Sequence, residues 1–358
     1  MRKIGVEEEL LLVHPDTGEP KAVAGAILAA SGPADAFEAE LHREQLEFAT
    51  EPHTRMRALE AEVRRWRASA ARHALEAGAR LAALATSPME VAPTIGSDKR
   101  HRWLAEEFGL TTQEQLTCGC HIHVEVESDE EGVAVIDRVR PWLSTLLALS
   151  ANSPFWQTVD SGYSSYRSRV WARWPSAGPV EVFGSAERYH ERVRAMLDTG
   201  VLLDEGMVYF DVRLSHRYPT VEFRAADVCL EADDTVLLAI LARGLVDTAA
   251  REWRAGEPPN PVGVSALRLA SWRAARSGLS GSLLHPDSGT PAPAHVVAHA
   301  LLDHVSDALS DTGDLGEARE RLSELLGRGN GADRQRRVKE REGDLSAVVA
   351  DAVSRTVA

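Results

Sequence analysis

Three consecutive glutamates interrupt an apolar run near the start of the chain, in the stretch KIGVEEELLLV. The alternation here predicts a β-strand over residues 3–13, in which successive side chains point to opposite faces. Glu8 then shares one face with apolar neighbours, while Glu7 and Glu9 share the other, about 7 Å apart. Charged side chains are rarely buried unless they are paired or bind a metal. The strand is therefore either a solvent-facing edge with ordinary ion pairs, or one wall of a site for hard cations such as Mg²⁺.

A second predicted strand, over residues 115–127, contains the stretch TCGCHIHVEVE. In a regular strand His121 and His123 lie on one face, together with two glutamates. Cys118 and Cys120 lie on the other face, and their spacing lacks the gaps of zinc-binding loops, so structural zinc is disfavoured. The histidines are either a hydrogen-bonded or solvated pair, or metal ligands. A zinc-dependent hydrolase that uses both histidines with a carboxylate is a competing hypothesis.

Two further stretches combine carboxylates with other polar groups. YPTVEFRAAD predicts a strand with Glu222 and Arg224 on one face. This pair suits a structural ion pair, or a metal-binding carboxylate beside an anion-binding guanidinium. ELHREQLEFAT contains Glu40 and Glu47. On a helix the two glutamates would align, whereas in a strand Glu47 aligns with Gln45, and a solvated amphipathic face is the alternative.

The segment NSPFWQTVDSGYSSYRSRVWARWPSAGP, residues 152–179, is long, aromatic and without periodicity. A loop of this length inside a compact domain is usually functional or disordered, and its aromatic residues argue against disorder. Arg167 and Arg169 could cover a substrate and bind its carboxylate through a guanidinium. A plain surface loop is the alternative.

The composition narrows the choice of partners and location. The chain has 358 residues, three cysteines and a net charge of −14, which argues against non-specific binding to nucleic acid or anionic membranes. Neither a membrane-spanning run nor a signal peptide is evident, and the sparse cysteines do not suggest a disulfide framework, so we expect a cytoplasmic protein. The sequence also lacks the P-loop, dinucleotide-binding and nucleophile-elbow motifs.

Strands and helices do not alternate along the chain as regular βαβ units. Besides the two strands above, the periodicities predict helices over residues 55–85, 132–150, 186–198 and 233–250, and strands over 207–214 and 219–226. The chain from about residue 263 is mostly helical, with a polar segment at 327–344. This pattern favours an α+β fold with an antiparallel sheet over a doubly wound fold. We predict a single domain over residues 1–358.

Taken in chain order, these stretches resemble the glutamate–cysteine ligase type 2 family, also called carboxylate–amine ligases. The matching segments are IGVEEELLLV, EQLEFAT, HIHVEV, ALSANSPFWQTVDSGYSSYRSRVWARWPSAGP and TVEFRAAD. The long loop is the most specific of them. The resemblance implies a fold similar to the catalytic domains of glutamine synthetase and the guanidino kinases. That fold is a curved antiparallel sheet with helices on one side, whose open concave face binds ATP and Mg²⁺ (two or three ions, with Mn²⁺ as an alternative).

The resemblance also implies roles for individual residues. Metal-binding positions of the family fall on Glu7, Glu9, Glu40, Glu47, His123 and Glu222. Arg224 falls on an arginine that contacts phosphate, and Arg167 on an arginine that holds the amino-acid substrate. Arg100 falls on a basic position of the nucleotide site. The sequence departs from the family pattern at Arg169, where a neutral residue is expected.

The activity that the resemblance implies is an ATP- and Mg²⁺-dependent ligase that forms an amide. A carboxylate, expected to be the γ-carboxylate of L-glutamate, is converted to an acyl phosphate, which an amine such as that of cysteine attacks. The same chemistry on another carboxylate or amine is the runner-up. A guanidino phosphotransferase, the zinc hydrolase and an inactive binding module are further alternatives. We expect small-molecule substrates, no nucleic acid or membrane partner, and apolar helices compatible with a homodimer.

Overall fold

The strand that carries the three glutamates lies in the middle of an antiparallel sheet. The computed structural model describes residues 1–32 and 37–358. In these residues the strands are β1 (Ile4–Val13), β2 (Phe37–Ala39), β3 (Gln45–Ala49), β4 (Arg80–Ala82), β5 (Gly119–Glu125), β6 (Phe155–Trp156), β7 (Val159–Asp160), β8 (Val212–Leu214), β9 (Thr220–Asp227), β10 (Ser282–Leu284) and β11 (Pro291–Pro293). The main sheet has the order β2–β3–β1–β5–β9–β8, and β4 pairs with the end of β1. Two small hairpins, β6–β7 and β10–β11, lie outside it.

Helices make up most of the remaining described chain. They are α1 (Ala24–Ala30), α2 (Met56–Glu76), α3 (Lys99–Phe108), α4 (Leu110–Gln113), α5 (Asp129–Val139), α6 (Leu143–Ser150), α7 (Arg167–Trp171), α8 (Ala186–Leu197), α9 (Ala232–Arg254), α10 (Val264–Ser277), α11 (Ala294–His304), α12 (Ser306–Thr312), α13 (Leu315–Arg328), α14 (Gly331–Glu342) and α15 (Leu345–Thr356). The 3₁₀ segments are Arg140–Trp142 and Glu205–Met207.

Strand pairing brings motifs that are distant in sequence into register. The stretch that was ambiguous between helix and strand forms β2 and β3, and β3 lies beside β1. On its other side β1 pairs with β5, which pairs with β9. The register sets these residues opposite each other: Glu9 and Glu47, Glu7 and His121, His123 and Glu222.

Glu8 faces the opposite way, towards the helices. Arg67 on α2 donates hydrogen bonds to both of its carboxylate oxygens at 2.7 Å, and Thr235 Oγ1 on α9 donates another at 2.6 Å. The same guanidinium donates to the carbonyl oxygens of Cys229 and Leu230. Glu8 and Arg67 are both fully buried, which charged groups tolerate only as a well-bonded pair. The central glutamate of the motif therefore joins the sheet to its helical layer.

The helices cover one face of the sheet. Helices α2 and α9 pack against β1, α5 packs against β8 and β9, and α6 packs against β9. The predicted α+β fold, with a curved antiparallel sheet and helices on one side, is confirmed.

Two predicted helices differ from the structure at points that have local causes. The helix expected over 55–85 ends at Glu76, because the chain turns at Gly78 with φ of +69° and then enters β4. The helix expected over 132–150 is divided by the 3₁₀ segment that contains Pro141, since proline has no N–H to donate to a helical hydrogen bond.

The chain beyond residue 263 is mostly helical, as the sequence predicted. Its polar segment at 327–344 contains α14, which begins with a capping box between Asn330 and Asp333. In the part of the chain that the structure describes, no helix is both long and apolar enough to cross a membrane.

Candidate active site

The face of the sheet opposite Glu8 forms the floor of a cavity of about 1150 Å³. Its lining includes residues that the sequence placed on one side of a strand, Glu7, Glu9, Glu47, His121, His123, Glu222 and Arg224, and also Glu40, which follows β2. Small-molecule sites commonly occupy some 300–1,000 Å³, so the space suffices for more than one substrate. The structure thus brings together all six predicted metal ligands and the predicted phosphate-binding arginine.

Two groups of side chains in this cavity have the spacing of metal ligands, and Glu7 belongs to both. In the first group, Glu7, Glu47 and His121 each offer a ligand atom, and these atoms lie within 4.8 Å of one another. In the second group, Glu7, His123 and Glu222 meet the same limit. Adjacent paired strands create the arrangement, because directly opposed side chains on one face are close neighbours.

Both histidine rings contact the carboxylate of Glu7, one at each oxygen. His121 Nδ1 lies 3.3 Å from Glu7 Oε2, and His123 Nε2 lies 3.2 Å from Glu7 Oε1. His123 Nδ1 also lies 3.0 Å from Thr220 Oγ1. Burial opposes ionisation of Glu7, but hydrogen bonds from both rings hold its pKa well below the usual value. Glu7 is therefore ionised between two imidazoles.

A second set of carboxylates is crowded beside the first group. Glu9 Oε2 accepts a hydrogen bond of 2.5 Å from the Gly119 amide. Burial and the charge of Glu40 raise the pKa of Glu9. Burial and a hydrogen bond from Glu40 raise the pKa of Glu47 well above its usual range. Clustered acids raise one another's pKa because a neighbouring negative charge disfavours ionisation.

Glu222 is held by two arginines. Arg213, opposite it on β8, donates through Nε and Nη2 to its two oxygens at 2.8 and 3.1 Å. Arg224 forms an ion pair with the same carboxylate and lies over the rings of Trp171 and Tyr209, 5.8 Å from each. Burial disfavours the Glu222 charge, but Arg224 and Arg213 together lower its pKa. The carboxylate is thus kept ionised and fixed in orientation at the edge of the cavity.

The two other predicted site arginines, Arg167 and Arg100, lie away from the two metal-ligand groups. Arg167 is buried behind the cavity, where its guanidinium packs against Gly119, lies 3.9 Å from Asp227 and stacks 5.6 Å from the ring of Trp171. Arg167 lines a smaller neighbouring cavity and is absent from the lining of the larger one. Arg100 lines the rim of the larger cavity and forms an ion pair with Asp204.

Sequence reasoning missed one contributor to the site and gave another only as an alternative. The parity of the strand offered both His121 and His123 as ligands, but the family resemblance assigned only His123. Arg213 carried no motif, because its role depends on the pairing of β8 with β9. The cysteines behave as expected for buried thiols: Cys118 and Cys120 belong to neither metal-ligand group, and burial raises the pKa of both.

Fold and site together define a class of enzyme. A buried floor of glutamates and histidines on an antiparallel sheet, bordered by arginines, suits enzymes that bring anionic substrates together with cations. Comparisons with known proteins agree with this class. Residues 3–351 match the family described as glutamate–cysteine ligase family 2.

The relatives cover the whole chain. A curated protein of Streptomyces avermitilis, provisionally named glutamate–cysteine ligase 2-1, is 62% identical over 99% of both chains. A protein of Streptomyces coelicolor, provisionally named glutamate–cysteine ligase 2, is 61% identical over 100% of both. Among solved structures, glutamate–cysteine ligase from Francisella tularensis in complex with AMP has a TM-score of 0.72 at 12% identity, covering 99% of this chain and 88% of that one.

A bifunctional glutathione synthetase from Pasteurella multocida also has a TM-score of 0.72, at 16% identity, and this chain spans 52% of its length. At such identities these structures establish the fold. The family match and the curated relatives establish more: the chain belongs to glutamate–cysteine ligase family 2. It is an ATP-dependent ligase that joins a carboxylate to an amine.

Proposed function

We propose that this protein forms an amide between the γ-carboxylate of L-glutamate and the amine of cysteine or another amino acid, through an acyl phosphate. The observation that carries the proposal is the pair of ligand groups that share Glu7, one of which contains Glu222 beside Arg224. Phosphoryl transfer needs positioning and charge neutralisation more than a protein nucleophile, and this site offers both.

The residues present fit divalent cations with a preference for oxygen ligands. The imidazole Nε2 of His121 is buried and makes no hydrogen bond within the described residues, although Glu9 Oε1 lies 3.8 Å away. Glu9, Glu40 and Glu47 are crowded carboxylates that a cation would neutralise. Mg²⁺ or Mn²⁺ would be held by Glu7, Glu47 and His121, and by Glu7, His123 and Glu222, with Glu9 and Glu40 adjoining the first group. When bound, these ions would screen the phosphates of ATP from the attacking carboxylate.

The chain's own residues would divide the remaining tasks. An oxygen of the γ-carboxylate attacks the γ-phosphorus of ATP, and the bond to the bridging oxygen breaks as ADP departs. Arg224, which lies beside Glu222, would stabilise the transferring phosphoryl group, while Arg213 keeps Glu222 in place. The amine then attacks the acyl carbon, inorganic phosphate leaves and the amine loses a proton. Arg100 at the rim would contact the nucleotide.

The test measures ADP release from ATP and Mg²⁺ with L-glutamate and one amino acid at a time. We expect release to require both glutamate and one particular amine, and to be abolished by Glu9→Gln. Exposed Glu340 is far from the site in sequence and makes no ion pair within the described residues, so Glu340→Gln is the matched control. Release that depends on another carboxylate would support the runner-up, the same chemistry on different substrates. A hydrolytic activity that does not require ATP and that increases with the amount of bound zinc would instead support the hydrolase hypothesis.

A further inference from the structure

A second cavity adjoins the larger one behind the aromatic residue Trp171. Its volume is about 310 Å³, and Trp171, Trp174 and Arg224 line both cavities. Helix α7 forms one side, helix α10 another, and Asp211 precedes β8 at a third. The volume suits a ligand the size of an amino acid rather than a nucleotide. We refer to this cavity as the arginine pocket.

Among the described residues, five arginines line the arginine pocket, and three of them already face a carboxylate. Arg167 lies 3.9 Å from Asp227, while Arg173 and Arg224 form ion pairs with Glu114 and Glu222. These pairs leave Arg169 and Arg268 as the cationic groups that the pocket can offer to a ligand.

Arg169 is partly buried and positioned without a counter-ion. Its Nη2 donates to Ser271 Oγ at 3.1 Å and its Nε to Ser168 Oγ at 3.3 Å, so the guanidinium is held by two hydroxyl groups. Arg268, on the same helix as Ser271, is exposed and makes no ion pair with any residue that the structure describes. Arginine guanidinium groups with free donors are the usual partners of a carboxylate.

Asp211 supplies the opposite charge within the same pocket. Its carboxylate forms no hydrogen bond or ion pair with the described residues, although Arg169, Arg167 and Arg268 act on it electrostatically. Burial raises its pKa to about 6, so the carboxylate is ionised near neutral pH. A pocket with unpaired guanidinium groups and an unpaired carboxylate matches the two charges of an amino-acid head group.

We propose that the arginine pocket binds the α-carboxylate of the donor glutamate on Arg169 and Arg268 and its α-ammonium group on Asp211. This inference rests on the proposed function. Because Trp171, Trp174 and Arg224 line both cavities, the side chain of the bound glutamate would extend past Trp171 and bring its γ-carboxylate to Arg224. The pocket would explain the position of Arg169 in the loop, where the family resemblance led us to expect a neutral residue. It also gives helix α10 a direct part in substrate recognition.

The experiment compares three donors: L-glutamate, L-isoglutamine, which carries an α-carboxamide, and glutarate, which has no ammonium group. KM for each is measured by ADP release in wild type, Arg169→Gln, Arg268→Gln and Asp211→Asn, with Arg194→Gln as an exposed control outside both cavities. Wild type and Arg194→Gln should prefer glutamate to both analogues. Arg169→Gln should lose about tenfold or more of its preference over isoglutamine and keep its preference over glutarate. Asp211→Asn should lose its preference for glutamate over glutarate and keep its preference over isoglutamine.

Unchanged donor preferences in Arg169→Gln and Asp211→Asn would overturn the proposal while leaving the ligase activity in place. If the wild type shows no glutamate-dependent ADP release, the proposed function fails, and calorimetric titration with L-glutamate decides the pocket separately. Binding to wild type that is lost in Arg169→Gln supports the pocket; equal binding, or no binding to wild type, overturns it. Arg268 is exposed, so we expect Arg268→Gln to fold as the wild type does, and weaker glutamate binding in this variant supports the pocket.

Discussion

Glu222 shows how one carboxylate can have a structural partner and a functional one. Arg213 binds both of its oxygens from the neighbouring strand, and Arg224 reaches it from two residues along the same strand. Arg213 also donates to the Val208 carbonyl at 2.9 Å, which fixes its own guanidinium. We infer that Arg213 is a positioning residue that acts through Glu222, whereas Arg224 would contact a phosphate directly.

If Arg213 acts through Glu222, the effects of mutating the two residues on kcat/KM should not be additive in free energy. Glu222→Gln should reduce ATP turnover to a small residual rate. Arg213→Gln should lower kcat/KM by about 10- to 100-fold, because Glu222 loses the partner that fixes its orientation. In the Glu222→Gln background, Arg213→Gln should cause little further loss. Steady-state ADP release from the two single variants and the double variant measures the coupling. If the loss of kcat/KM in the double variant equalled the product of the two single losses, Arg213 would act independently of Glu222.

The face of each strand residue could be read from the sequence, because alternation along a strand is fixed. It separated Glu7 and Glu9 from Glu8 and grouped the two histidines. Partners across strands could not be read in the same way, because register depends on which strands become neighbours. Arg213 therefore escaped prediction. Asp211 also did, since its isolation from counter-ions is a property of a cavity between separate segments.

Strand β1 carries different chemistry on its two faces, and the helix-facing side stabilises the fold. Glu8 joins β1 to α2 through Arg67 and to α9 through Thr235. All three side chains are buried. Removing one partner of such a pair leaves an uncompensated charge in the interior, whereas removing both leaves apolar packing.

The prediction for this element is a loss of stability without a direct effect on chemistry. Arg67→Met should destabilise the fold by about 3–5 kcal/mol, because it leaves the buried carboxyl group of Glu8 without its ion-pair partner. The double variant Glu8→Leu with Arg67→Met should recover most of that loss. Urea unfolding followed by circular dichroism gives both free energies. If the double variant were as unstable as Arg67→Met, the ion pair would not be the source of the loss.

Helix and strand identities followed from periodicity, but several boundaries depended on particular residues. Gly78 ends one predicted helix and Pro141 divides another, and neither boundary is marked by a change in hydrophobic pattern. The long loop after residue 152 contains a small hairpin and α7. Its side chains are placed by tertiary contacts, such as the hydrogen bonds from Ser153 and Ser165 to Asp227, which local sequence does not encode.

The whole chain carries an excess of acidic residues, and several of them line the larger cavity. The net charge is −14, yet Arg100, Arg213 and Arg224 line the larger cavity and five arginines line the arginine pocket. Anionic substrates would approach such a molecule only through positive groups or bound cations. The antiparallel sheet makes this arrangement from segments more than 200 residues apart, since β1 and β9 are both neighbours of β5.

Cation binding should therefore be coupled to the stability of the entire molecule, and Glu7 is the residue on which the coupling depends. Glu7 contributes to both ligand groups, so Glu7→Gln weakens two sites at once. A cation that binds only the folded state stabilises it by about 2.7 kcal/mol when its concentration is a hundred times Kd. We expect Mg²⁺ or Mn²⁺ to raise the Tm of wild type and of Glu340→Gln by a few degrees. The Tm of Glu7→Gln should hardly change when the metal is added. Differential scanning fluorimetry with and without the metal measures the shift. If the metal raised the Tm of Glu7→Gln as much as that of wild type, the cations would bind away from β1, and the proposed mechanism would lose its basis.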